Sequence, residues 1–163
     1  MLENVRKFVV PALLGAVVVG GVSASAKPRP NPKCFKISGT LTSAMSTGPC
    51  ASPVGLCTTG EFKGDGLLKG RTTFVADSIQ PAASTEAPTT LVYSGLLTIQ
   101  TKNGTLTTRD TGILDTANGL IGARDVVVGG TGIFAGATGY ILFQGTGTST
   151  FVNEASGEIC IPR

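Results

Sequence analysis

The sequence predicts an all-β protein, an eight-stranded antiparallel β-barrel. Three observations carry that expectation. From residue 27 onward the chain holds 20 glycines and 22 threonines, with few runs of Leu, Ala, Lys and Glu at helical spacing. Threonine favours strands and glycine favours turns. No proline occurs from Thr89 to Ile161, which suits long paired strands, because proline removes a ladder donor. Apolar and polar residues alternate with period two in successive segments separated by turn signals. A sheet of about eight strands must curl or split, since open edges invite aggregation. Closure into a barrel removes the edges; a two-sheet β-sandwich is the rival.

The chain opens MLENVRKFVVPALLGAVVVGGVSASAKPRP. Arg6 and Lys7 form a basic start, Phe8 to Val22 is apolar, and Ala24-Ser25-Ala26 fits a small-x-small cleavage site. Residues 1–26 therefore read as a secretory signal peptide. An uncleaved anchor is the alternative, but the apolar run of fifteen residues is short for a span, which needs about 20. The expected location is secreted or periplasmic, with no membrane attachment after cleavage. Residues 27–33 carry three alternating prolines and read as an extended basic leader. Residues 34–163 form one domain, long enough for a real core.

The strands follow in order. "CFKISGTLTS" (34–43) and "LCTTGEFKG" (56–64) are the first two. In "GLLKGRTTFVADSI" (66–79), Leu68, Thr72, Phe74 and Ala76 share one face, with Lys69, Arg71, Thr73 and Asp77 on the other. A loop rich in small residues and proline (80–89) leads to "TLVYSGLLTIQTK" (90–102), where Leu91, Tyr93, Leu97 and Ile99 share a face. Asn103-Gly104 precedes "TLTTRDTGILDT" (105–116) and predicts a type I′ hairpin turn, which needs two positive φ angles. Asn103-Gly104-Thr105 is also a glycosylation sequon. "ANG" (117–119) turns the chain again. "LIGARDVVV" (120–128), "TGYILFQGTGTST" (138–150) and "FVNEASGEICI" (151–161) complete the set.

All four cysteines lie after the cleavage site, so an exported protein would carry two disulfides. Three pairings are open. The preferred one is Cys50–Cys57, closing the local loop CASPVGLC, with Cys34–Cys160 joining the first strand to the last. There is no histidine and no CxxC spacing, so no metal site is expected. Beyond residue 26 there are 11 basic and 9 acidic residues, a net charge of +2. Nothing in that balance recruits nucleic acid or an anionic membrane.

The stretch "VVVGGTGIFAG" (126–136) imitates the start of a dinucleotide-binding unit. Gly130-Thr131-Gly132 with Ala135 satisfies a loose GxGxxA. The context fails: Gly136 and Gly139 interrupt any following helix, and 31 residues after Gly132 are too few for the rest of a doubly wound sheet. The cluster reads instead as a compact turn between strands, with Phe134 plugging the end of the core.

The longer segment "VVVGGTGIFAGATGYILFQG" (126–145) resembles the signature of the allene oxide cyclase and dirigent barrels, a GG-[TA]-G-x-F-x-x-A-x-G pattern. It matches at Gly129, Gly130, Thr131, Gly132, Phe134, Ala137 and Gly139. The resemblance implies an eight-stranded antiparallel barrel with a central cavity. Plant members are often trimeric, which would make the protein a homo-oligomer. Residues 27–55 have no clear counterpart, and none of the family's catalytic positions carries over.

The absence of histidine excludes Ser–His and Cys–His catalysis. Among the remaining groups Asp110 stands out, because it shares a strand face with Leu106, Thr108, Gly112 and Leu114. Facing inward, it would be a carboxyl in an apolar cavity with a raised pKa, competent as an acid or base. The plainer alternative is an ion pair with a neighbouring arginine or a turn hydrogen bond. Tyr93 lies on an apolar face and would offer a hydrogen bond there, or simply pack. Phe74, Leu97 and Phe134 complete the expected ligand-binding set. The sequence thus favours a barrel that binds a small apolar ligand. A cofactor-free isomerase, a cyclase or a guide for radical coupling is the second reading, and a structural barrel with a filled core the third. None of these needs a cofactor.

Overall fold

The structure is a computed structural model that describes residues 31–83 and 86–163. The proposed signal peptide and most of the leader lie outside the described residues. Eight strands follow one another: β1 (Lys33–Met45), β2 (Cys57–Gly64), β3 (Lys69–Pro81), β4 (Thr90–Thr101), β5 (Gly104–Asp115), β6 (Leu120–Gly130), β7 (Thr138–Gly147) and β8 (Thr150–Ile161). Each pairs antiparallel with the next, and β8 returns to β1, closing the barrel. That seam, with Lys33 opposite Ile161 and Ala44 opposite Thr150, excludes the two-sheet sandwich. No helix among the described residues is long and apolar enough to cross a membrane.

Alternation decides what enters the lumen. One half of the barrel is filled by Phe62, Leu68, Ile99, Leu106, Phe134, Ile141 and Ile159, all fully buried. Phe62 meets Phe143 edge to face at 6.2 Å between ring centres, a favoured aromatic geometry. Two bulges reset the alternation. Between Ala76 and Ser78 the β3–β4 register slips, so Ile79 rather than Ser78 joins Phe74 in lining the lumen. Between Thr107 and Thr108 the β5–β6 register skips Val128, leaving that side chain on the outside.

The two disulfides pair as the sequence favoured. Cys34–Cys160 joins register partners of β1 and β8 across the seam. Cys50–Cys57 ties the β1–β2 connection to the start of β2. Cys34, Cys160 and Glu158 form a group of potential metal ligands, but both sulfurs are committed to the disulfide.

The Asn103-Gly104 expectation is corrected. Thr101 pairs with Gly104, so the turn is centred on Lys102 and Asn103, and neither residue has a positive φ. Thr101 shapes it instead: its Oγ accepts from the Asn103 amide at 3.1 Å and donates to the Gly104 carbonyl at 2.9 Å. Gly104 is needed for close approach. A Cβ there would lie 2.1 Å from the Thr131 carbonyl oxygen.

That contact also explains the glycine cluster. The cluster docks on the β4–β5 hairpin through the Thr131 amide to the Thr105 carbonyl (2.8 Å) and the Ile133 amide to the Asn103 carbonyl (3.1 Å). Gly132 has φ +59, and a Cβ on it would sit 2.2 Å from the Asn103 carbonyl oxygen. A single 3₁₀ turn, Gly132–Phe134, then drives Phe134 into the closed end of the barrel.

Candidate functional site in the barrel lumen

The other end of the barrel is not filled. A cavity of about 80 Å³ lies there, beneath the β1–β2 connection and the ends of β3 and β5. Its wall is mostly apolar: Leu41 from β1, Phe74 and Ile79 from β3, Tyr93 and Leu97 from β4, Leu114 from β5, Ile121 from β6 and Phe151 from β8. Leu56 closes over its rim, held by its carbonyl accepting from the Ala76 amide at 3.0 Å. The polar wall comprises Ser43, Thr58, Thr72, Asp110 and Asn153.

The aromatic wall depends on two glycines. Phe74 lies over Gly95, where a Cβ would be 2.5 Å from its ring. Tyr93 lies over its register partner Gly112, where a Cβ would be 2.6 Å from its ring and hydroxyl. The two rings then meet edge to face at 5.9 Å and an angle of 77°.

Asp110 points inward, as its strand pattern predicts, and is 8% exposed. It has no arginine. Arg109, its chain neighbour, points outward and pairs with Asp77. The inward partner of Asp110 is a second acid. Asp125 on β6 stands directly opposite it in the register and is fully buried. Thr108 donates to Asp125 Oδ2. Oδ1 of each aspartate is buried without a hydrogen-bond partner in the protein, and so is Asn153 Oδ1.

The electrostatics follow from that geometry. Burial pushes the Asp110 carboxyl well above its ordinary range, and the negative charge of Asp125 adds to the shift. Burial also raises Asp125, against the opposing hydrogen bond from Thr108. Two adjoining carboxyls in low dielectric titrate as a pair that retains protons near neutrality. Tyr93 is raised too, first by burial and then by the charges of Asp110 and Asp125. It stays a neutral phenol.

The structure brings together Asp110, Tyr93, Leu97 and Phe74 from the expected set around one cavity. It does not bring Phe134 there; that ring is fully buried at the closed end and forms no part of the cavity wall. Sequence reasoning did not single out Asp125 or Asn153. For Asp125 a signal existed. Asp115 and Leu120 flank the turn, and stepping back five residues along each strand gives Asp110 and Asp125.

No protein-family model matches this chain, and no curated protein sequence matches it. Among solved structures it is similar to a pterocarpan synthase dirigent protein, at 14% identity over 91% of this chain and 100% of that one, with a TM-score of 0.34. A likeness of that size transfers neither activity nor residues. The barrel assignment rests on the continuous strand pairing of this chain.

Proposed function

We propose that this protein is an exported barrel that binds one small, largely apolar molecule in the open half of its lumen. The observation that carries the reading is a cavity with an apolar wall whose lining includes Asp110 and Asn153, each of which holds a buried oxygen without a protein partner. Unpaired polar groups in a packed interior are costly, and a ligand that satisfies them recovers that cost. The volume of about 80 Å³ corresponds to roughly six water-sized spheres, so the buried part of the ligand is small. Two disulfides fit folding in an oxidising compartment.

The test is to purify the disulfide-bonded protein from an oxidising compartment and identify bound small molecules by native mass spectrometry. A copurified apolar molecule supports the reading. An empty protein that binds nothing in an apolar-ligand screen overturns it in favour of a purely structural barrel.

A second reading is favoured by the Asp110–Asp125 pair. A carboxyl that holds its proton near neutrality is a general acid, and its conjugate base is strong enough to take a proton back. That fits a cofactor-free isomerase, cyclase or coupling guide acting on the bound ligand. Asp110→Asn would then abolish turnover while leaving ligand affinity for a neutral substrate nearly unchanged.

A further inference from the structure

We propose that the lumen is built for a small organic ammonium ion, an apolar amine whose charged head seats on Asp110 and whose body lies against Phe74, Tyr93 and Leu97. The inference rests on the ligand-binding reading above and names its ligand class.

Among the described residues, the buried side-chain atoms lacking a partner are Asp110 Oδ1, Asp125 Oδ1 and Asn153 Oδ1. All three are oxygens. Asn153 belongs to β8, away from the acid pair on β5 and β6, yet it is 5% exposed and lines the same cavity as Asp110. The site therefore wants donors, and an ammonium group supplies up to three with no acceptor of its own.

Charge points the same way. No Lys or Arg among the described residues is buried. The ion pairs Lys36–Glu158, Lys63–Glu61 and Arg109–Asp77 all lie on exposed side chains. The titratable groups facing Asp110 are Asp125 from β6 and Tyr93 from β4, and neither brings a positive charge. A cation would have to come from outside the chain. Aromatic rings in the wall favour an organic cation. Two carboxyls and an amide oxygen fall short of the oxygen shell of calcium, and magnesium would have to keep several waters against a mostly apolar wall.

Binding moves a proton. The neutral Asp110 acid releases its proton to solvent as the ammonium takes its place, leaving a carboxylate–ammonium pair with charge conserved. Amine affinity therefore rises with pH while the amine stays protonated. A neutral ligand that accepts a hydrogen bond from the protonated acid shows the opposite slope.

The experiment is calorimetric titration of the disulfide-bonded protein with benzylamine and with benzyl alcohol, at pH 6 and pH 8. Two buffers of different ionisation enthalpy count the protons. The expected result is benzylamine binding about tenfold or more tighter, a difference of about 1.4 kcal/mol, with the gap widening at pH 8 and a net proton released at pH 6. Asp110→Asn should lose that preference and keep the alcohol. Alcohol binding as tightly as the amine, or amine binding that weakens toward pH 8, overturns the inference and leaves the ligand-binding reading standing. Failure of both ligands overturns the inference and counts against that reading as well. If Asp110→Asn does not fold, the pH slope and the proton count on the unsubstituted chain decide.

Discussion

Asp110 on β5 and Asp125 on β6 are register partners whose side chains both enter the barrel, and among the described residues no basic one is buried with them. Antiparallel partners on one face hold their Cβ atoms about 5 Å apart. Like charges so placed in low dielectric resist joint ionisation. The pair is costly to the fold at high pH, and that cost is what a functional site would retain.

Stability should therefore fall as pH rises. Burial and mutual repulsion lift the pair from an ordinary 3.8 to apparent folded-state values of about 7 and about 8, which belong to the pair rather than to either residue. Between those limits the folded protein binds more protons than the unfolded chain. Linkage then makes unfolding easier as pH climbs from about 4 to about 8. Thermal unfolding followed by circular dichroism should give a lower midpoint at pH 8 than at pH 5.5. Asp125→Asn should flatten that slope. A midpoint that does not fall over the same interval would show that the pair is already ionised at pH 5.5.

Gly112 is predicted to be intolerant of a methyl group. A Cβ there meets the Tyr93 ring and hydroxyl at 2.6 Å, and the Gly122 carbonyl oxygen at 2.8 Å. Overpacking of this kind costs about 1–3 kcal/mol. Gly112→Ala should lower stability by that amount in urea and displace the ring that walls the cavity. Ligand affinity should drop more than it does for Gly122→Ala, where the nearest contact is an ordinary 3.8 Å. Equal effects at the two glycines would remove Tyr93 from the wall argument.

Much of this architecture is legible in the residues. The alternation of Leu106, Thr108, Asp110 and Gly112 places Asp110 inside, and the strand order follows from short turns between alternating runs. What escaped has physical causes. The β3 bulge breaks the period, so Ile79 enters the lumen out of phase with Phe74. Gly104 reads as a turn residue but serves a contact with Thr131, remote in sequence. Asn153 sits in an alternating run with Phe151 and Ala155, and only barrel closure reveals which face of that run lines a cavity. Phe134 carries two expectations, a plug at the end of the core and a ligand contact; the 3₁₀ turn places it at the closed end as the plug, outside the cavity wall.

The two disulfides should differ in weight. Cys34–Cys160 spans 126 residues and Cys50–Cys57 spans 7. In the chain-entropy model the long loop contributes about 5 kcal/mol and the short one about 2.5 kcal/mol. Double Cys→Ser replacement at 34 and 160 should therefore lower unfolding free energy by roughly twice as much as replacement at 50 and 57. The short bridge adjoins Leu56 and Thr58, which line the cavity, so its loss should weaken ligand binding beyond its effect on stability. Chemical denaturation and calorimetry on both variants separate the two effects.

Phe134→Ala should separate fold from site. The ring is fully buried, and truncating such a phenylalanine costs about 3–5 kcal/mol. The turn itself keeps its backbone hydrogen bonds, Phe134 amide to Thr131 carbonyl at 3.1 Å and Ala137 amide to Phe134 carbonyl at 3.0 Å, so the loss is that of the ring alone. Yet the ring makes no part of the cavity wall. The variant should unfold at much lower denaturant, while its folded fraction binds a lumen ligand with unchanged affinity. Affinity measured in native conditions, corrected for the unfolded fraction, makes the comparison. A fall in affinity matching that of Phe74→Ala would mean that the two ends of the barrel pack as one unit, and that the closed end tunes the open one.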